Sequence, residues 1–119
     1  MKPLEQSCVF CKIARGEIPR IKTAESNNFF AIPDAHPRVE GHTLIIPKKH
    51  FVTLLDIPNK LGEELLQFTK KIAYEILEKK LGDGFNIIMN NLEPAGQIIK
   101  HVHLHIIPRK DNDGLRMIS

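Results

Sequence analysis

The sequence predicts an α+β fold, a mainly antiparallel sheet of about five strands with one long and one short helix, and three features lead to it. Short segments rich in β-branched residues stand before and after a single long helical pattern, the order of an α+β domain rather than of alternating βαβ units. No glycine-rich turn joins a strand to a helix, which argues against a Rossmann or P-loop nucleotide site. In His101-Val102-His103-Leu104-His105-Ile106-Ile107, histidines alternate with apolar residues at the period of two that a strand imposes.

Each element has its own signal. Cys8-Val9-Phe10-Cys11-Lys12-Ile13-Ala14-Arg15-Gly16 reads as a tight cysteine turn leading into the short helix, which Gly16 closes. Lys22 to Ala24 and Phe29 to Ile32 read as two short strands joined by the Ser26-Asn27-Asn28 turn. Pro33 and Pro37 bracket a loop that carries Asp34 and His36. After Gly41, His42-Thr43-Leu44-Ile45-Ile46 is a β-branched strand that stops at Pro47, and Lys48-Lys49-His50 leaves it as a basic loop. Leu61, Leu65, Phe68, Ile72, Ile76 and Leu77 recur at helical spacing, with Asp56 as cap, Pro58 in the first turn and Gly82 past the end. That apolar stripe is expected in the core. Phe85 to Asn90 is a further strand, opened by the Gly82-Asp83-Gly84 turn, and a loop from Asn91 to Lys100 delivers the chain to the histidine strand. The helices are expected on one face of the sheet, and the tail from Arg109 to Ser119 is expected to run over the surface.

Composition narrows the class. A chain of 119 residues is expected to form one domain, 1–119, and 42% hydrophobic with 26% charged residues is the balance of a globular protein. No apolar run approaches the roughly 18 residues of a membrane-spanning helix, and the start Met-Lys-Pro-Leu-Glu-Gln-Ser lacks the apolar stretch of a signal peptide, so a cytoplasmic location and no membrane partner are expected. The net charge of +3 is spread along the chain and aromatic residues are only 6%, so no nucleic-acid partner is expected. A mildly basic surface suits a small phosphorylated ligand.

In a strand, the imidazoles of His101, His103 and His105 project from one face while Val102, Leu104 and Ile106 project from the other. Imidazoles that titrate near neutral pH are a poor choice for a core. The pattern points either to a metal site, since histidines at i and i+2 can chelate one ion, or to a catalytic group acting on an anionic substrate. The two cysteines pose a separate question. Only seven residues precede Cys8, which leaves no room for a thioredoxin-like strand, and a disulfide is disfavoured in a reducing cytoplasm. Half of a tetrahedral zinc site, or two buried free thiols, remain.

With the alternating histidines stand Cys8-Val9-Phe10-Cys11-Lys12-Ile13, Gly16-Glu17-Ile18-Pro19, Gly41-His42-Thr43-Leu44-Ile45-Ile46-Pro47-Lys48-Lys49-His50 and Gly96-Gln97. In these motifs, from about residue 8 to residue 109 and in the family's order, the chain resembles the histidine triad superfamily of nucleotide hydrolases and transferases. The resemblance implies a homodimer that binds a purine nucleotide and cleaves a nucleoside phosphoramidate or dinucleoside polyphosphate at the α-phosphorus. It implies that His103 is the nucleophile and forms a covalent nucleotidyl-histidine. It further implies that His105 stabilises a phosphoryl oxygen, that His101 orients His103, and that Gln97 holds a phosphate oxygen or the attacking water. By the same resemblance Asp34 binds the ribose hydroxyls, Ile18, Ile32 and Leu44 line the base pocket, and Asn90 and Gly96 lie beside ribose and phosphate. Zinc is implied at Cys8, Cys11, His50 and His101, where four protein ligands make it structural. His42 is left either for a supporting role or as a plain strand residue, and His36 is unassigned. Ile98 departs from the family's phosphoramidase branch, in which a serine or threonine often follows Gly-Gln, and this bears on leaving-group preference. Two other readings stand beside this one: a metal-dependent hydrolase using the triad histidines, and a nucleotide-binding or protein-interaction module with vestigial turnover.

Overall fold

A computed structural model describes residues 3–116. Five strands, β1 (Ala24–Glu25), β2 (Phe29–Pro33), β3 (Thr43–Pro47), β4 (Gly84–Ile88) and β5 (Leu104–Arg109), form one open sheet. The order is β1-β2-β3-β5-β4, and every neighbouring pair is antiparallel. Three helices accompany it: α1 (Pro3–Ser7), α2 (Val9–Ala14) and α3 (Gly62–Glu78). Among the described residues no helix is long and apolar enough to cross a membrane.

The helices lie on both faces of the sheet, not on one. Phe29, Ala31, Ile45, Leu104 and Ile106 pack against Phe68, Ile72 and Ile76 of α3. Phe30, Ile32, Leu44 and Ile46 pack against Phe10, Cys11 and Ile13 of α2. The reason is written in β2 and β3, whose Phe29-Phe30-Ala31-Ile32 and Leu44-Ile45-Ile46 are continuous apolar runs. A strand apolar on both sides must be covered on both sides.

Element ends differ from the sequence expectation where local hydrogen bonding takes over. Helix α3 begins at Gly62, after two 3-10 turns, so Asp56 does not cap it. Instead Asp56 closes the first of these turns by accepting from the backbone N–H of Thr53 at 2.9 Å. The helix is ended by Lys80 in a left-handed conformation (φ 57°) rather than by Gly82. Gly82 serves the following turn, where a Cβ would come within 2.8 Å of the Arg109 nitrogen. Leu77 is 39% exposed and lies outside the buried stripe, which runs through Phe68, Ile72 and Ile76. Strand β1 sits at Ala24–Glu25, shifted from Lys22 to Ala24, and α1 was hidden by its polar composition. The tail does not simply run over the surface. Arg109 makes a two-pronged ion pair with Asp113 at 2.7 and 2.9 Å and bonds Asn86 and the Leu115 carbonyl, folding the chain back on the sheet edge. Residues 117–119 lie outside the described residues.

Because Ile72 sits at the centre of the α3 contact, Ile72→Ala is expected to destabilise the fold by about 3 kcal/mol. Urea unfolding should show this as a lower midpoint with an unchanged slope.

Candidate active site and metal centre

The position of β5 between β3 and β4 places His105 opposite Leu44 on one side and Ile88 on the other. On the α2 face of the sheet this opens a cleft of about 500 Å³. Phe10 and Ile13 come from α2, Ile32 from β2, Leu44 from β3, and His103 and His105 from the histidine segment. Asp34, Asn90, Gly96 and Ile98 reach it from loops. A second hollow of about 460 Å³, between α3 and the β2–β3 loop, shares Asp34 with the cleft and adds His42, but contains none of the three alternating histidines.

The hydrogen bonds of the imidazoles settle which nitrogen carries each proton. His103 donates from Nδ1 to the carbonyl of His101 at 2.8 Å, which leaves the Nε2 lone pair for the cleft. Burial holds its pKa below the ordinary imidazole value, so the ring is neutral at pH 7. The backbone N–H of Arg38 donates to Nδ1 of His42 at 3.0 Å, so the His42 proton is on Nε2. That N–H faces Nδ1 of His105 at 3.0 Å and Oδ2 of Asp34 at 3.3 Å. His105 therefore accepts at Nδ1 and carries its own proton on Nε2, a donor for the cleft. Burial, reinforced by the neighbouring His103 and His42, pushes the His105 pKa down to about 4, and burial also lowers that of His42.

Asp34, His42 and His105 bring their donor atoms within 4.8 Å of one another, a spacing that a metal ion would also accept. The Arg38 bond decides against that use. An imidazole whose Nδ1 accepts an amide proton carries hydrogen on Nε2 and has no second lone pair to give a cation. These groups form a hydrogen-bond relay.

His101 belongs to a different site. The paired strand begins only at Leu104, and His101 is fully buried behind it. Its Nε2 donates to the Pro47 carbonyl at 2.8 Å, and its Nδ1 faces Sγ of Cys8 at 3.3 Å and Sγ of Cys11 at 3.5 Å. His50 places Nδ1 3.2 Å from Sγ of Cys11. All four donor atoms lie within 4.8 Å of one another. Around a tetrahedral zinc ion, sulfur and nitrogen ligands are separated by about 3.6 Å, so the donor set fits zinc in type, number and spacing. The carbonyl behind His101 is the outer-shell partner that a metal-bound histidine needs. Burial and the adjacent Cys8 push the Cys11 thiol up to about 12, so this sulfur becomes a thiolate only beside a cation. Cys8 also caps α2, accepting from the Cys11 N–H at 3.4 Å.

The three alternating imidazoles thus serve two sites rather than one. His101 orients His103 through its backbone carbonyl, while its ring turns to the cysteines. Ile32, Asp34, Leu44, Asn90 and Gly96 line the cleft. Ile18 is half-buried against the α2-side core and is not among the cleft residues. Gln97 is buried elsewhere: Oε1 accepts from the Leu92 N–H at 2.7 Å, and Nε2 donates to the Val52 carbonyl at 2.5 Å. These bonds hold the tight turn in which Leu92 and Gly96 have positive φ. Ile98 stands at the rim, 91% exposed. His36, without a role in the sequence reading, also reaches the rim. Sequence reasoning missed Phe10 as a site residue; its ring packs edge-on to His103 at 5.0 Å and to His101 at 5.7 Å. It also left His42 without a defined partner, since only the strand order places His42 beside His105.

A model of the HIT domain family matches residues 15–112. The adenylylsulfatase HINT3 of Arabidopsis thaliana is 43% identical over 112 residues, which cover 94% of this chain and 57% of that protein. The adenosine 5'-monophosphoramidase HNT1 of Candida albicans is 40% identical over 109 residues, covering 88% of this chain and 72% of the relative. A zinc-bound histidine triad family protein from Mycobacterium smegmatis superposes with a TM-score of 0.86 at 39% identity, covering 95% of this chain and 82% of that one. The chain therefore spans little more than half the length of the plant relative.

The lowered imidazoles carry a pH signature. His105 falls from 6.5 to about 4 on folding and His42 is lowered as well, so acidification protonates the unfolded chain first. Their stabilising contribution is complete above about pH 6.5 and is lost as the pH falls toward 4. The thermal midpoint is expected to drop across that window in calorimetry, and His105→Gln should flatten the drop.

Proposed function

The chain belongs to the HIT domain family, the histidine triad proteins, and on that footing we propose that it is a nucleotide hydrolase. Its substrate would be a purine nucleoside phosphoramidate or dinucleoside polyphosphate, cleaved at the α-phosphorus to release the nucleoside monophosphate. The observation that carries this reading is the pairing of an imidazole lone pair with an imidazole donor in one cleft. His103 Nε2 is free to attack, and His105 Nε2–H is free to meet a phosphoryl oxygen.

In this mechanism the His103 Nε2 lone pair forms an N–P bond as the bond from phosphorus to the leaving group breaks. The leaving group departs with that electron pair and takes a proton from solvent. The His101 carbonyl, accepting from Nδ1, stabilises the positive charge that develops on the ring. Water then attacks phosphorus and releases a proton to solvent, the N–P bond breaks, and its electrons return to Nε2. His105 holds the phosphoryl oxygen in both steps, kept in its donor tautomer by His42. Asp34 would accept the ribose hydroxyls beside its bond to His42, Ile32 and Leu44 would form the floor under the base with Ile18 behind them, and Asn90 and Gly96 would border ribose and phosphate. Gln97 acts in this scheme by shaping the Leu92–Gly96 turn rather than by touching phosphate. The exposed apolar Ile98 gives the leaving group no proton donor, which favours substrates whose leaving groups need little protonation.

Cys8, Cys11, His50 and His101 would hold zinc. Four protein ligands close its shell, so its contribution is structural: it fastens the N-terminal helices to the segment that carries His103. Reduced thiolates of this kind suit the cytoplasm. We read residues 1–119 as one domain and the assembly as a homodimer. Strand β4 is an unpaired sheet edge, and its Phe85 and Ile87 are 39% and 47% exposed. Leu66 and Leu77 on α3 are also exposed and add apolar surface for a second copy.

Replacing the nucleophile separates chemistry from binding. His103→Ala is expected to lower release of nucleoside monophosphate by about 10³-fold or more while nucleotide still binds, as read by product assay and by titration. Equal turnover in both proteins would refute the mechanism. For the metal, Cys8→Ser is expected to reduce bound zinc below one per chain by elemental analysis and to lower the thermal midpoint.

A further inference from the structure

We propose that Arg20 reads the edge of the base and gives this protein a preference for 6-oxopurine nucleotides, those of guanine or hypoxanthine, over adenine nucleotides. The inference rests on the nucleotide reading of the cleft and adds to it the class of base.

The sheet supplies a ruler. His105 on β5 lies opposite Leu44 on β3, and Leu44 lies opposite Ile32 on β2. Two strand spacings separate His105 from Ile32 by about 10 Å, comparable with the span from the α-phosphorus to the far edge of the purine in an extended nucleotide. With phosphate at His103 and His105 and the base over Leu44 and Ile32, the far edge arrives beside Arg20.

Arg20 is the only lysine or arginine lining the cleft among the described residues. Its guanidinium is anchored at that end, donating from Nη2 to the carbonyl of Pro33, the residue after Ile32. None of the ion pairs among the described residues involves it. Its other N–H groups are therefore available to a ligand, and its direction is set by the anchor.

A guanidinium has donors and no acceptor. Guanine offers two acceptors side by side, O6 and N7, whereas adenine offers N7 next to an amino group that is itself a donor. Arg20 can pair with the first edge on two points. Against adenine it sets donor against donor.

The test compares guanosine and adenosine 5'-phosphoramidates, with GMP and AMP as binding probes, on the wild type, Arg20→Ala and Arg20→Lys. The wild type is expected to favour guanosine in kcat/KM and GMP in Kd by about tenfold. Arg20→Ala should bring both ratios near one, and Arg20→Lys, which keeps the charge but loses the fork, should lose most of the preference. Turnover of both substrates with a wild-type ratio at or below one, or with a ratio unchanged in Arg20→Ala, overturns the assignment and leaves the hydrolase reading intact. Preferential GMP binding lost in Arg20→Ala, without turnover of either phosphoramidate, supports Arg20 and rejects the hydrolase. Binding of neither nucleotide overturns both.

Discussion

The segment from His101 to Arg109 enters the sheet as an interior strand, and both candidate sites hang from it. Its paired part, β5, has β3 on one side and β4 on the other, so its backbone is locked by two ladders. Its leading part is held by other means. Val102 donates to the Phe51 carbonyl at 2.7 Å, and His101 is wedged between Pro47 and the cysteines. With the backbone held at both ends, the His101 carbonyl becomes a fixed acceptor for His103. An imidazole whose tautomer is set by a main-chain group needs no reorganisation to present its free lone pair.

This arrangement gives the cysteine cluster a mechanical role. Helix α2 carries Phe10 and Ile13 on the wall of the cleft and Cys11 in the Cys2His2 cluster, while His101 links that cluster to the histidine segment. One side of the cleft is therefore joined to its floor through a Cys2His2 knot. Six-residue helices have little stability of their own, and α2 depends on this knot and on the packing of Phe10, Cys11 and Ile13 for its position.

Burial also sets the electrostatics. His42, His103 and His105 lie close together, and withdrawal from water favours their neutral forms. Neutral rings can be told apart by tautomer, and a chain of donors beginning at the Arg38 amide assigns each one its part. The same three rings fully protonated would be alike, all donors and no nucleophile.

Much of this was legible in the residues themselves. The alternation from His101 to Ile107 marked a strand with one polar face, the apolar stripe of α3 marked a core helix, and the Cys8/Cys11 spacing marked half of a tetrahedral donor set, its two histidines coming only from the family resemblance. Each is a local pattern, and period or spacing in one stretch of chain is enough to show it. What only the tertiary structure decided depends on which distant pieces meet. Strand β5 inserts between β3 and β4, and that brings His42 to His105 across 63 positions of sequence. The turn before β5 sends His101 to the cysteines and Gln97 into the loop, although alternation alone would have kept all three histidines in one site. The tautomers, and with them which ring nitrogen faces the cleft and which faces the cysteines, follow from partners such as the Arg38 amide, the His101 carbonyl and the Pro47 carbonyl. A hydrogen bond has a direction only once both partners are in place, and no one-dimensional pattern contains it.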